Sequence, residues 1–161
     1  MEVFIGTKIV KGVPMLRGTY NRYRNWELPP NEDGADDGYL VEYVDGGKPN
    51  HEDHKGYISW SPKEQFDNAY RDVGLGVTFG DAITMLKQGK RMARQGWNGL
   101  GMFCYLVPEG VYPARTDAIK GYFVTEQVPY RAYLALKTAQ NDVATWSPSV
   151  SDCLAEDWVL V

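Results

Sequence analysis

Histidine and cysteine are scarce in this chain of 161 residues, with two of each. Cys104 and Cys153 both stand in apolar-looking segments, which predicts reduced, buried thiols and no disulfide. The histidines fall together in His51-Glu52-Asp53-His54. None is left elsewhere for a Ser-His or Cys-His nucleophilic pair. That cluster could hold a metal, but its spacing matches no established zinc arrangement and it reads as a loop, so no metal or other cofactor is expected. No apolar run approaches the roughly 20 residues that span a bilayer, which predicts no membrane association. No basic start precedes an apolar stretch, which predicts no signal peptide. Positive charge is not in excess: 17 Lys and Arg face 21 Asp and Glu. That balance argues against binding to a nucleic acid polymer, yet a few Arg could still hold a small anion. There is no Walker loop or dinucleotide fingerprint, and GLGVTFG reads as a linker. The carboxylate pairs Asp36-Asp37 and Glu156-Asp157 have no partner acid at a meaningful spacing.

Apolar residues make up 43% of the chain, enough for a packed core. The composition is aromatic, with eleven Tyr and five Trp. The chain divides near RDVGLGVTFG, residues 71–80, into parts of 1–72 and 77–161. In the first part, the apolar run VFIGTKIVKGV precedes a polar, aromatic stretch, TYNRYRNWELPP, and an acidic loop. GYLVEYV alternates as a strand and GYISW reads as its partner. Ser61-Pro62-Lys63-Glu64 then predicts a helix start with Ser61 as the cap, and Phe66, Ala69 and Tyr70 share one face of that helix. In the second part, Thr78 to Asp81 predicts a capping box on a helix carrying Phe79, Ala82, Ile83 and Leu86, stopped by Gly89. Strands are expected at KRMAR, Met102 to Val107, RAYLALKT, VATW and WVLV. Residues 108–129 read as a long loop. The fold class expected is α+β: two small domains, each an antiparallel sheet with one or two packed helices.

Chemistry concentrates in two segments. In RMARQGWNGLGM, Arg91 and Arg94 are three apart on a short strand and need not share a face. Trp97 offers a flat ring, Asn98 offers donors and an acceptor, and the glycines allow close approach. These are ingredients of a nucleotide-type pocket, and equally of a Trp anchoring a turn. The second segment follows the second of two Trp-Ser-Pro tripeptides, at 60–62 and 146–148. There the capping box slides to Ser149 and Asp152, which leaves a hydroxyl over.

These motifs carry a resemblance. The helix ending in Gly-Lys, the loop Arg94-x-x-Trp97-Asn98-Gly99, and the close Trp146-x-x-Ser149-x-x-Asp152-x-x-Ala155-x-Asp157-Trp158 resemble the second family of phage Thoeris anti-defence proteins, over roughly 77–161. Val150 stands where that family usually has Gln. The resemblance implies a non-enzymatic sponge in the host bacterial cytoplasm. It would sequester glycocyclic ADP-ribose, with cyclic dinucleotides bound by some relatives, in pockets between the subunits of a homotetramer. On that reading Trp97 stacks on adenine or ribose and Asn98 reads polar edges. Arg94 or a helix N-terminus faces the diphosphate. Ser151 and Asp152 take ribose hydroxyls, Met102 lines an apolar wall, and Trp146 belongs to the same site. The rivals are a hydrolase of the same signal and a structural or protein-binding module using TYNRYRNW.

Overall fold

The computed structural model describes residues 1–3, 6 and 8–161; Phe4, Ile5 and Thr7 of the opening apolar run lie outside the described residues. The rest of that run supplies β1 (Val10–Pro14), and the polar, aromatic stretch winds into α1 (Arg17–Tyr23). GYLVEY forms β2 (Gly38–Tyr43) and YISWSP forms β3 (Tyr57–Pro62), followed by α2 (Lys63–Ala69). The three strands make an antiparallel sheet in the order β1-β2-β3, with Val41 opposite Gly12 and Ser59. Tyr20, Leu40 and Ile58 form its core, with Met15, Tyr23 and Trp60 packed against them. These elements belong to a unit of residues 1–71.

One local expectation in this unit resolves differently. Ser61 does not cap α2. Pairing of Ser61 with Tyr39 and Pro62 with Gly38 carries β3 two residues past Trp60, the cap position passes to Pro62, and no side chain caps the helix. The histidine cluster is tied to aromatic and acidic neighbours. His54 lies 3.0 Å from the Tyr23 hydroxyl on one ring nitrogen and 3.2 Å from Glu42 on the other, and His51 stacks on Tyr23 at 4.3 Å. The Glu42 carboxyl is held below its ordinary range by His54 first, then by the Gly56 and Lys55 N–H groups. Among the described residues no group of acids, His or Cys is arranged to hold a metal.

The second unit spans residues 72–161. Its first helix is α3 (Phe79–Lys87). The Thr78 hydroxyl accepts from the Asp81 N–H, and Asp81 accepts in return from the Thr78 N–H. Gly89 follows at φ 78°, the left-handed turn that ends a helix at least cost with glycine. Then come β4 (Met92–Arg94), β5 (Phe103–Val107), β6 (Gly110–Pro113), β7 (Gln127–Tyr130), β8 (Tyr133–Lys137), β9 (Val143–Thr145), α4 (Val150–Cys153) and β10 (Trp158–Leu160). Five strands form an antiparallel sheet in the order β10-β4-β5-β8-β9. The fold class is therefore α+β, small antiparallel sheets with a few helices.

Strand register decides which residues lie under α3. Met92 pairs with Cys104, Cys104 with Leu136, and Trp158 with Arg94, so these side chains share one face. Met92, Cys104 and Trp158 are each 0% exposed beneath Ala82, Met85 and Leu86 of α3. Burial pushes the Cys104 thiol up to about 12. Cys153 is exposed on α4, against the expectation of two buried thiols, because its short helix buries only Asp152.

The expected loop 108–129 contains β6 and β7, a two-stranded ribbon. Ala114 N–H bonds to the Glu126 carbonyl at 2.9 Å, which puts the 114/126 pair in the hydrogen-bonded class. Pro113 and Pro129, opposite Gln127 and Val111, then fall in the alternate pairs, where a ladder needs no N–H from them.

Candidate functional site

Arg94 ends β4 on the helix-covered face, directly across from Trp158 of β10. Its Nε donates to Asp157 Oδ1 at 2.8 Å and its Nη1 to Asp152 Oδ1 at 3.0 Å. A longer third contact runs from Nη2 to Asp157 Oδ2 at 3.5 Å. One guanidinium thus joins two carboxylates brought in by different elements, and the cluster carries a net charge of one minus. Asp157 and Asp152 in turn raise the Arg94 pKa still further.

Each carboxylate also closes a piece of local structure. Asp157 Oδ2 accepts from the Gly96 N–H at 3.0 Å and its carbonyl accepts from Gln95, which ties down the start of the 95–102 loop. Asp152 Oδ2 accepts from the N–H and hydroxyl of Ser149 at 2.9 and 2.7 Å, while the Ser149 hydroxyl accepts from the Asp152 N–H. That is the reciprocal capping box read at Ser149 and Asp152. Burial works to raise the Asp152 pKa. The Ser149 hydroxyl and N–H, the Arg94 fork and the Trp97 indole together outweigh it and hold the carboxyl below its usual range. Asp157 is also held low, by Arg94 first.

Three tryptophans meet beside this network. Trp97 lies edge-on to Trp158 at 5.5 Å and to Trp146 at 5.9 Å, and Trp146 and Trp158 are 6.0 Å apart. The Trp158 indole donates to the Asp152 carbonyl at 3.0 Å, and the Trp146 N–H to the Leu134 carbonyl at 2.8 Å. Trp158 is fully buried, whereas Trp97 and Trp146 are half-buried.

The chain belongs to the Thoeris anti-defense 2-like domain family. The family matches residues 77–161. Thoeris anti-defense 2 of Bacillus phage SP01 is 38% identical over 85 residues, which are 53% of this chain and 94% of that protein. The match covers the α3-to-β10 segment, so the tryptophan corner lies wholly within the Thoeris anti-defense 2-like domain.

The expected site residues divide by what they already touch. For the diphosphate the expectation is Arg94 or a helix N-terminus; Arg94 donates three of its five N–H groups to the two aspartates. Asp152, read as taking ribose hydroxyls, has both oxygens engaged inside the domain. Met102 is half-buried and packs on the loop at Gly99, where a Cβ would run into the Met102 side chain and sit 2.8 Å from the Ala139 Cβ. Trp97 and Trp146 come together. Asn98 and Ser151 are exposed, on the loop and on α4 respectively. Asp157 and Trp158 carry no site role in the motif, yet they hold Arg94 and the other two rings. No spacing rule flags the carboxylate pair, because Asp152 and Asp157 come to one guanidinium only once β10 pairs with β4.

Proposed function

We propose that this protein binds and sequesters a small cyclic nucleotide immune signal, glycocyclic ADP-ribose or a cyclic dinucleotide, without cleaving it. The observation that carries this reading is the Trp97–Trp146 pair, two half-buried rings 5.9 Å apart and braced on a buried third. Such rings suit a base, because every base presents a π-face and the platform needs no reordering on binding. On this reading the exposed Asn98 and Ser151 take base edges and ribose hydroxyls. Met102 lines the loop side. Arg94 acts as a positioning residue, holding Asp152 and Asp157 so that the loop and α4 keep their places.

Magnitudes set what else is needed. A sponge working at micromolar signal or below requires about −8 kcal/mol. Stacking contributes about 1–3 kcal/mol per base, so most of the rest falls to polar contacts. The loop and α4 carry exposed apolar residues, Leu100 at 93% and Val150 at 76%. A second copy covering them, within a homotetramer, would close the pocket and supply further donors.

Incubating glycocyclic ADP-ribose with the protein, removing free ligand, then denaturing by heat, separates sponge from enzyme. Intact ligand in stoichiometric amount is expected. Recovery of hydrolysis products would overturn the reading.

A further inference from the structure

The face of the five-stranded sheet turned away from α3 carries a row of different character. Phe103, Lys137 and Val143 are direct cross-strand neighbours on β5, β8 and β9. Arg91, one residue before β4, lays its guanidinium over the Phe103 ring at 5.0 Å. Tyr105 follows two positions along β5 on the same face, its ring 6.1 Å from that of Phe103. With Gly89 and Leu106 these residues line a cleft of about 280 Å³. No acidic side chain lines it. Among the described residues neither Arg91 nor Lys137 is held in an ion pair.

We infer that this cleft is a second small-molecule site, for a nucleoside or aryl monophosphate. The two cations lie at the Phe103 ring, one stacked on it and one its cross-strand neighbour, so an oxyanion placed there meets both. Arg91 is suited to two phosphate oxygens and Lys137 acts as a point charge. Arg91 covers the Phe103 face, which leaves Tyr105 as the ring for an aromatic group. The volume suits a single phosphate with one ring and is too small to enclose a dinucleotide. The charge balance differs from that of the tryptophan corner, where one cation is shared by two carboxylates. The inference stands independently of the proposed function, because Arg94 and Trp158 lie on the opposite sheet face.

Calorimetric titration of the full chain with AMP, adenosine and inorganic phosphate tests it. AMP is expected to bind more tightly than either fragment, because only AMP engages both the cations and the ring. Lys137→Met and Arg91→Met should each weaken AMP about tenfold or more, since each removes a charge-assisted contact. Lys137→Arg should retain binding. Circular dichroism of each variant checks the fold. AMP affinity that survives both methionine variants, that is lost on Trp97→Ala alone, or that does not saturate at millimolar AMP overturns the site.

Discussion

Arg94 and Asp157 meet through a two-pronged contact across 63 positions of sequence, Nε to Oδ1 at 2.8 Å and Nη2 to Oδ2 at 3.5 Å. The same guanidinium reaches Asp152, so one side chain on β4 sets the position of the 95–102 loop, α4 and the start of β10 together. Exposures of 21% for Arg94, 12% for Asp152 and 31% for Asp157 place the network between surface and interior. Its contribution should therefore fall between the near-zero value of exposed pairs and the several kcal/mol lost when a buried pair is broken.

Arg94→Met is expected to destabilise the protein by about 2 kcal/mol, because Asp152 stays largely buried with its main cation gone. Urea unfolding measures this. Arg94→Lys should recover only part, since an ammonium cannot span both carboxylates. An unchanged midpoint in the methionine variant would show that the network contributes nothing to stability.

The network also fixes a pH dependence. Asp152 and Asp157 both have lowered folded pKa values, so each contributes stability that is present above the unfolded carboxylate value, about 4. That stability is lost as pH falls through the lower folded values. Wild type and Arg94→Met should thus differ most at neutral pH and converge as pH falls through the lowered folded values of the two carboxyls. Unfolding curves at several pH values would show a gap independent of pH if the carboxylates were not involved.

Two tryptophans of the same cluster should respond in opposite ways. Trp158→Ala removes a fully buried ring and is expected to cost about 3–5 kcal/mol, close to the whole stability of a small unit. Trp97→Ala removes a half-buried ring. It should retain a cooperative unfolding transition while losing binding of glycocyclic ADP-ribose. Retained affinity in a folded Trp97→Ala protein would remove Trp97 from the site.

The two thiols should be distinguishable by reactivity. Cys104 is 0% exposed with its pKa pushed up to about 12, whereas Cys153 is exposed. A colorimetric thiol reagent near neutral pH should modify one thiol per native chain and both in denaturant. Two fast-reacting thiols in the native protein would contradict the packing of Cys104 under α3.

Gly99→Ala should act on the loop more than on the fold. The added Cβ meets both Met102 and the Ala139 side chain, and the latter cannot swing aside. Weaker ligand binding is expected with little change in unfolding midpoint. The reverse pattern would make Gly99 a structural residue only.

Legibility followed the range of each interaction. The boxes at Thr78–Asp81 and Ser149–Asp152 were readable because both partners lie within one turn. Pairing of GYLVEY with YISWSP was readable from alternation and an intervening turn. The Ser61 cap was not, because a neighbouring strand claimed Pro62. The ribbon of β6 and β7 was hidden by its prolines, which read as breakers until the pairing register is known. At the tryptophan corner, Trp97 and Trp146 stand in separate sequence motifs and meet at 5.9 Å. That Arg94 would be neutralised by two aspartates was not legible, because its partners lie 58 and 63 positions away.

The sequence by itself determined the class of fold, the family and the residue types that gather at the tryptophan corner, because periodicity, caps and ordered motifs are local patterns. Only the tertiary structure decided which charges remain free. Sheet register sends Arg94 under the helices to its two aspartates and leaves Arg91 and Lys137 on the open face. A pleated strand turns side chains three apart to opposite faces, and which face gets covered depends on what packs there.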